Sequence, residues 1–107
     1  AKHYDAGLHA TFIKPHYAAA IESVYHIYPI RVQNRDAFRE HLISKGVKTE
    51  VHYPVPAHHQ EALKGYFKES YPISEEIHQT ILSLPISYGH TEEEIERVIH
   101  LMNEAVL

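Results

Sequence analysis

The chain has 107 residues, 44% of them apolar and 22% charged, with no cysteine and a net charge of −4 when its 11 histidines are neutral. That is the length and composition of one globular domain, which excludes a disordered tail, a collagen-like repeat, a coiled coil, a disulfide scaffold and a thiol nucleophile. No apolar run approaches the roughly 20 residues of a membrane-spanning helix, and an acidic chain lacks the basic excess that nonspecific nucleic-acid binding needs. Neither a membrane nor a nucleic acid is expected as a partner.

Ala1 to Leu8 reads as the closing turns of a helix, with Gly7 just past its end in a left-handed conformation. Its uncapped start leads to the expectation that the chain is a piece of something longer; a processed or tagged terminus is the alternative. Ala10 to Ile13 reads as a brief strand before Pro15, and residues 15–23 as loop. Val24 to Val32 (VYHIYPIRV) is rich in β-branched and aromatic residues and reads as the main strand. Pro29 donates no hydrogen bond and belongs at an edge or a bulge. Asn34 is placed to cap a helix with its side chain. Phe38, His41 and Leu42 share one face of it, and Gly46 ends it behind Lys45.

Val47 to Tyr53 reads as a second strand, stopped by Pro54 and Pro56. A short helix is expected over Gln60 to Tyr66, and another capped by Ser74 with Ile77 and Ile81 on one face. Leu84 to Ile86 reads as a last short strand around Pro85. Thr91 and Glu94 form a capping-box pair for the final helix, whose apolar stripe is Ile95, Val98, Ile99, Met102 and Val106. The fold class is α+β: a single domain over residues 1–107, with a small, largely antiparallel sheet and helices packed on one face.

Two features could carry chemistry. His52, His58 and His59 fall within eight residues, but they match no HExxH pattern, and no acidic residue stands in a helical i, i+4 register with two of them. No metal is assigned on this basis. The tract Val51 to Gln60 (VHYPVPAHHQ) leaves a strand and turns through two prolines, so it is stiff. It either presents polar groups to a ligand or merely covers the end of the sheet with Tyr53 packed inward; composition leaves both readings standing. There is no glycine-rich phosphate loop, and no GxSxG, Walker or Rossmann pattern.

Three ordered stretches carry a resemblance. They are VYHIYPIRVQNRDAFREHLISKGV, VHYPVPAHHQ and ILSLPISYGHTEEEIERVI. They resemble the strand–helix unit, the H-Y-P-x-P-x-H-x-Q tract, and the L-S-L-P strand with its following helix start in the DegT/DnrJ/EryC1/StrS aminotransferases. The likeness is to the C-terminal small domain of these fold-type I pyridoxal-phosphate enzymes and runs from about Tyr4 to the C-terminus. Gly89-His90 departs from it, where the family more often has an acidic or apolar pair.

The resemblance implies that His52 and Tyr53 line a sugar-nucleotide pocket, that His58 and Gln60 support it, and that His26 lies beneath it. It implies a parent enzyme moving an amino group, from glutamate, to a nucleotide-linked keto-sugar in the cytoplasm. The parent would be a homodimer with active sites at the subunit interface, and residues 1–8 would end the helix leading from an N-terminal large domain. The family's Schiff-base lysine, cofactor-stacking aromatic and phosphate-holding serine belong to that large domain. None of Lys2, Lys14, Lys45, Lys48, Lys64 and Lys68 stands in a matching context. No catalytic or cofactor-binding residue is therefore assigned here. Pyridoxal phosphate is expected in the parent and not on this chain, which alone would be inactive. A free-standing ligand-binding module of the same fold is the alternative, and a histidine metal-binding domain a third reading.

Overall fold

Two four-residue strands, Tyr28–Arg31 (β1) and Ile81–Leu84 (β2), pair antiparallel, with Tyr28 opposite Leu84 and Arg31 opposite Ile81. In the computed structural model, which describes residues 1–106, a one-residue bridge widens this ribbon at each edge. Ile13 exchanges both backbone hydrogen bonds with Arg31, and Glu50 does the same with Ser83. Strand alternation puts Tyr28, Ile30, Leu82 and Leu84 on one face, where all four are buried.

That face is covered by α1 (Lys2–Gly7), α2 (Arg35–Ser44) and α4 (Glu92–Glu104), while α3 (Pro72–Thr80) leads directly into β2. Tyr4, Leu8, Phe12, Val32, Leu42, Val47, Val98 and Met102 complete one continuous core. The α+β class with a small antiparallel sheet stands. Thr49 is buried in this unit, and its hydroxyl has no hydrogen-bond partner among the described residues.

The expected strands contract. Val24 to Ile27 lie outside β1: Tyr25 has a positive φ of 48°, which breaks the extended run, and Val24 is 94% exposed. Strand-forming residue types do not make a strand without a neighbour to pair with. The segment Val47 to Tyr53 pairs only at Glu50. The last strand begins three residues earlier than expected, at Ile81, because Leu82 and Leu84 pair with β1 and Pro85 ends the ladder. Arg31 bonds toward Ile13, so Pro29, two residues earlier, turns its nitrogen to the same edge, away from β2.

The helix ends follow local chemistry. Thr91 and Glu94 make the full capping box on α4: the Thr91 hydroxyl accepts from the Glu94 amide at 3.2 Å and the Glu94 carboxylate accepts from the Thr91 amide at 2.9 Å. Gly46, at φ +80°, closes α2 in a Schellman arrangement, its amide bonding to the Ile43 carbonyl and the Val47 amide to that of Leu42.

Asn34 does stand at the N-cap of α2, but in the left-handed region at φ 51° and without a side-chain cap bond. Ser74 does not cap α3; that helix starts at Pro72, whose fixed φ suits a first helical position. The helix expected over Gln60 to Tyr66 is replaced by two short 3-10 turns, Ala57–His59 and Glu61–Leu63.

Gly7 also differs from expectation. It lies inside α1, with no positive φ. A Cβ there would sit 2.9 Å from Ile99 Cγ2, so glycine is required for α1 to approach α4 this closely. Asn103 fastens the contact at the C-terminal end of α1: its Nδ2 donates to the Gly7 carbonyl at 2.8 Å and its Oδ1 accepts from the His9 amide at 2.9 Å.

Candidate functional site

A groove of about 500 Å³ runs between the N-terminal half of α4 and the sheet edge at Glu50. His26 enters it from the residues before β1, His52 from the segment after Glu50, and His90 from the turn before α4. Lys48, Glu50, Glu94 and Arg97 add charge of both signs, and Val47, Leu84, Ile86, Ile95 and Val98 form its apolar floor and walls. His52 is half-buried, with Nδ1 3.0 Å from the Ser83 hydroxyl. That contact orients the ring from the centre of the sheet. His26 is exposed.

The five residues singled out in the sequence therefore separate. His26 and His52 share the groove. Tyr53 is 67% exposed and outside the groove lining; its ring meets that of His52 edge-on at 5.5 Å. The His52–Tyr53 peptide is cis. Gln60 donates from Nε2 to the Val55 carbonyl at 3.0 Å and so closes the proline loop on itself. His58 turns away from the groove, and its side chain is only 7% exposed.

His58 Nε2 lies 2.9 Å from Glu75 Oε1. Glu75, in the first turn of α3, also accepts from the Tyr71 amide at 2.9 Å and from the Ser70 hydroxyl at 3.1 Å. The Tyr71 amide, then His58 and Ser70, hold its carboxyl down to about 2. His59 packs its ring 4.2 Å from that of His58 and brings Nε2 to 3.8 Å from the same carboxylate oxygen. This cluster pins the proline loop to the start of α3.

Sequence reading passed over Glu50, Ser83, Glu94 and Glu75 as site members. Ser83 lay inside the L-S-L-P stretch and Glu94 inside the capping box, each with a structural explanation already. Glu75 carried no signal, because it is 17 residues from His58 and only the folded chain joins them.

The groove offers imidazoles, carboxylates, an ammonium and a guanidinium around an apolar floor. That suits recognition of hydroxyl and phosphate oxygens. The residues present do not fit pyridoxal phosphate. Lys14, the one lysine that is half-buried, points its ammonium at the carbonyls of Asp5 (2.7 Å) and Leu8 (3.5 Å). Lys48, the lysine of the groove, is exposed, and no phenyl or phenol ring lines the groove to stack on a pyridine. No step of transamination is assigned to these residues.

Comparison with known proteins agrees with the sequence resemblance. A transaminase of Aneurinibacillus thermoaerophilus named for dTDP-3-amino-3,6-dideoxy-alpha-D-galactopyranose is 44% identical over 80 residues, covering 75% of this chain and 22% of its own length. One of Streptomyces venezuelae named for dTDP-3-amino-3,4,6-trideoxy-alpha-D-glucose is 35% identical over 85 residues, covering 78% of this chain and 22% of its own length. The chain thus spans about a fifth of these curated relatives.

Among solved structures, S. venezuelae DesV in complex with a ketimine intermediate superposes with a TM-score of 0.92 at 32% identity, over 97% of this chain and 29% of that one. A DegT DnrJ EryC1 StrS aminotransferase from Brucella abortus gives a TM-score of 0.89 at 27% identity, over 97% and 28%. The model of the DegT/DnrJ/EryC1/StrS aminotransferase family matches residues 1–103, nearly the whole chain. The chain belongs to that family.

Proposed function

We propose that this chain is the C-terminal small domain of a pyridoxal-phosphate-dependent sugar aminotransferase, which moves an amino group from glutamate to a nucleotide-linked keto-sugar. The observation that carries the reading is one of proportion: 97% of this chain superposes on 29% of an aminotransferase. The lysine and cofactor cradle then belong to the remaining, larger part of the enzyme. In this reading the groove of His26 and His52 lines the substrate pocket, the two imidazoles meeting hydroxyl or phosphate oxygens. Tyr53 stands at its margin. His58 and Gln60 hold the loop that carries these groups. The parent acts as a homodimer in the cytoplasm, and the chain alone is inactive.

The test compares the isolated chain with the same chain joined to its large domain. Both receive pyridoxal phosphate, glutamate and a dTDP-linked 3-keto-sugar. Turnover is expected only in the joined protein, and turnover by the isolated chain overturns the reading. In the joined protein, His52→Ala is expected to raise KM for the sugar nucleotide; an unchanged KM removes His52 from the pocket. The closed core favours a second reading, an independent ligand-binding module. Stoichiometric binding of the sugar nucleotide by the isolated chain is the result that would support it.

A further inference from the structure

The cluster outside the groove has a donor set with its own chemistry. His58, His59 and Glu75 each bring one ligand-type atom to a common point, and these atoms all lie within 4.8 Å of one another. Two imidazoles and one carboxylate are a donor set used by zinc sites that keep an open coordination position. We propose that His58, His59 and Glu75 bind a divalent transition-metal ion of the zinc class.

The two histidine–carboxylate separations bracket what such an ion needs. With metal–ligand distances of about 2.0–2.2 Å, tetrahedral ligand atoms stand roughly 3.3 Å apart. The present separations are 2.9 Å from His58 Nε2 to Glu75 Oε1 and 3.8 Å from His59 Nε2 to the same oxygen, one on each side of that value. An ion takes the place of the proton between His58 Nε2 and Glu75 Oε1. In a neutral His58 ring that proton shifts to Nδ1, which leaves the ring uncharged and its Nε2 lone pair free to ligate.

The carboxylate is already oriented. The Tyr71 amide bonds to Oε1 at 2.9 Å and the Ser70 hydroxyl reaches both oxygens, Oε1 at 3.1 Å and Oε2 at 3.3 Å, so the carboxylate is held in place and an ion at Oε1 shares that oxygen with these donors. The two histidines sit on one 3-10 turn behind Pro54 and Pro56, which limits the loop's freedom to move apart. His58 is nearly enclosed, whereas His59 is 56% exposed, so the site opens to solvent on one side and leaves room for a water as a further ligand. No acidic residue stands in helical register with both His58 and His59 on their own segment. The fold supplies the carboxylate from the first turn of α3.

The probe is Co²⁺, followed by its visible absorption, with Zn²⁺ as competitor, added to the full chain without any affinity tag. One equivalent of Co²⁺ is expected to bind and to be displaced by Zn²⁺, and Zn²⁺ is expected to raise Tm by mass action. His59→Leu changes an exposed side chain, and Glu75→Gln keeps the shape of the group while removing its charge. Each is expected to weaken binding at least tenfold. His100→Ala, beside Glu104 on α4, is expected to leave binding unchanged. Absence of saturable Co²⁺ binding, or binding that both His59→Leu and Glu75→Gln leave intact, overturns the proposal.

Discussion

Replacing Gly7 by alanine tests the packing of α1 on α4 directly. Helix propensity alone favours the change by up to about 1 kcal/mol, less here because Gly7 is the last residue of α1. Packing opposes it. The new methyl would lie 2.9 Å from Ile99 Cγ2 and 3.1 Å from Ile99 Cδ1, against an optimum of about 3.5–4.0 Å between carbons. Cγ2 is fixed to the β-branched carbon and cannot swing away without a change of χ1. Overpacking of this kind costs about 1–3 kcal/mol, so the net expectation is a loss of about 1–2 kcal/mol. A six-residue helix has no stability of its own, so if it lifts, Tyr4 and Leu8 leave the core with it.

The assay is urea unfolding of the four members of a double-mutant cycle with Ile99→Ala. Removing the isoleucine side chain leaves space for the methyl. Gly7→Ala is then expected to be neutral or slightly stabilising in the Ile99→Ala background, a coupling of about 1–2 kcal/mol. If Gly7→Ala stabilises the parent chain, or if the two changes add within about 0.5 kcal/mol, the close-approach argument fails.

Three further outcomes are expected. Thr49→Val replaces a buried hydroxyl that has no partner among the described residues with a methyl of the same shape; a gain of about 1 kcal/mol in urea unfolding is expected, and a loss would show that the hydroxyl is paired. Burial raises the Tyr4 phenol, and burial with the Asp5 carboxylate raises that of Tyr28, each well above the ordinary value near 10. Because these folded values are raised, the stability they contribute is full below pH 10 and is lost as pH climbs above it; Tyr28→Phe should flatten that alkaline decline by about 1.4 kcal/mol per pH unit, and an unchanged slope would refute the assignment. Thr91→Ala removes the hydroxyl half of the α4 capping box and is expected to cost about 1 kcal/mol, read as a lower Tm, with Thr91→Ser restoring most of it.

What the sequence disclosed was local, and what it hid was paired across distance. The Thr91–Glu94 box and the Gly46 stop need only neighbours within one turn, and both form as read. The α4 stripe buries Val98 and Met102 because a 3.6-residue period is enough to define a face. Ile81 was ambiguous: four residues after Ile77, it continues a helical face equally well, and only the pairing of β2 with β1 makes it a strand residue. Asn34 is the residue type of a cap yet adopts the other conformation asparagine tolerates, the left-handed one. His52 and His58 came from one motif, but the fold aims one at Ser83 and the other at Glu75, and no spacing rule separates them.

The clasp between α1 and α4 also bears on how the chain is made. Asn103 is 96 residues from Gly7 and 94 from His9, and Met102 and Val98 share a core with Tyr4 and Leu8. A ribosome adding about 5–20 residues per second needs roughly 5–20 seconds to reach the partner of a helix it has already released. Through that interval Tyr4 and Leu8 lack the α4 side of their packing. Among the described helices, α1 is made longest before its partner α4, and it is the one on which a chaperone or a protease has the longest time to act.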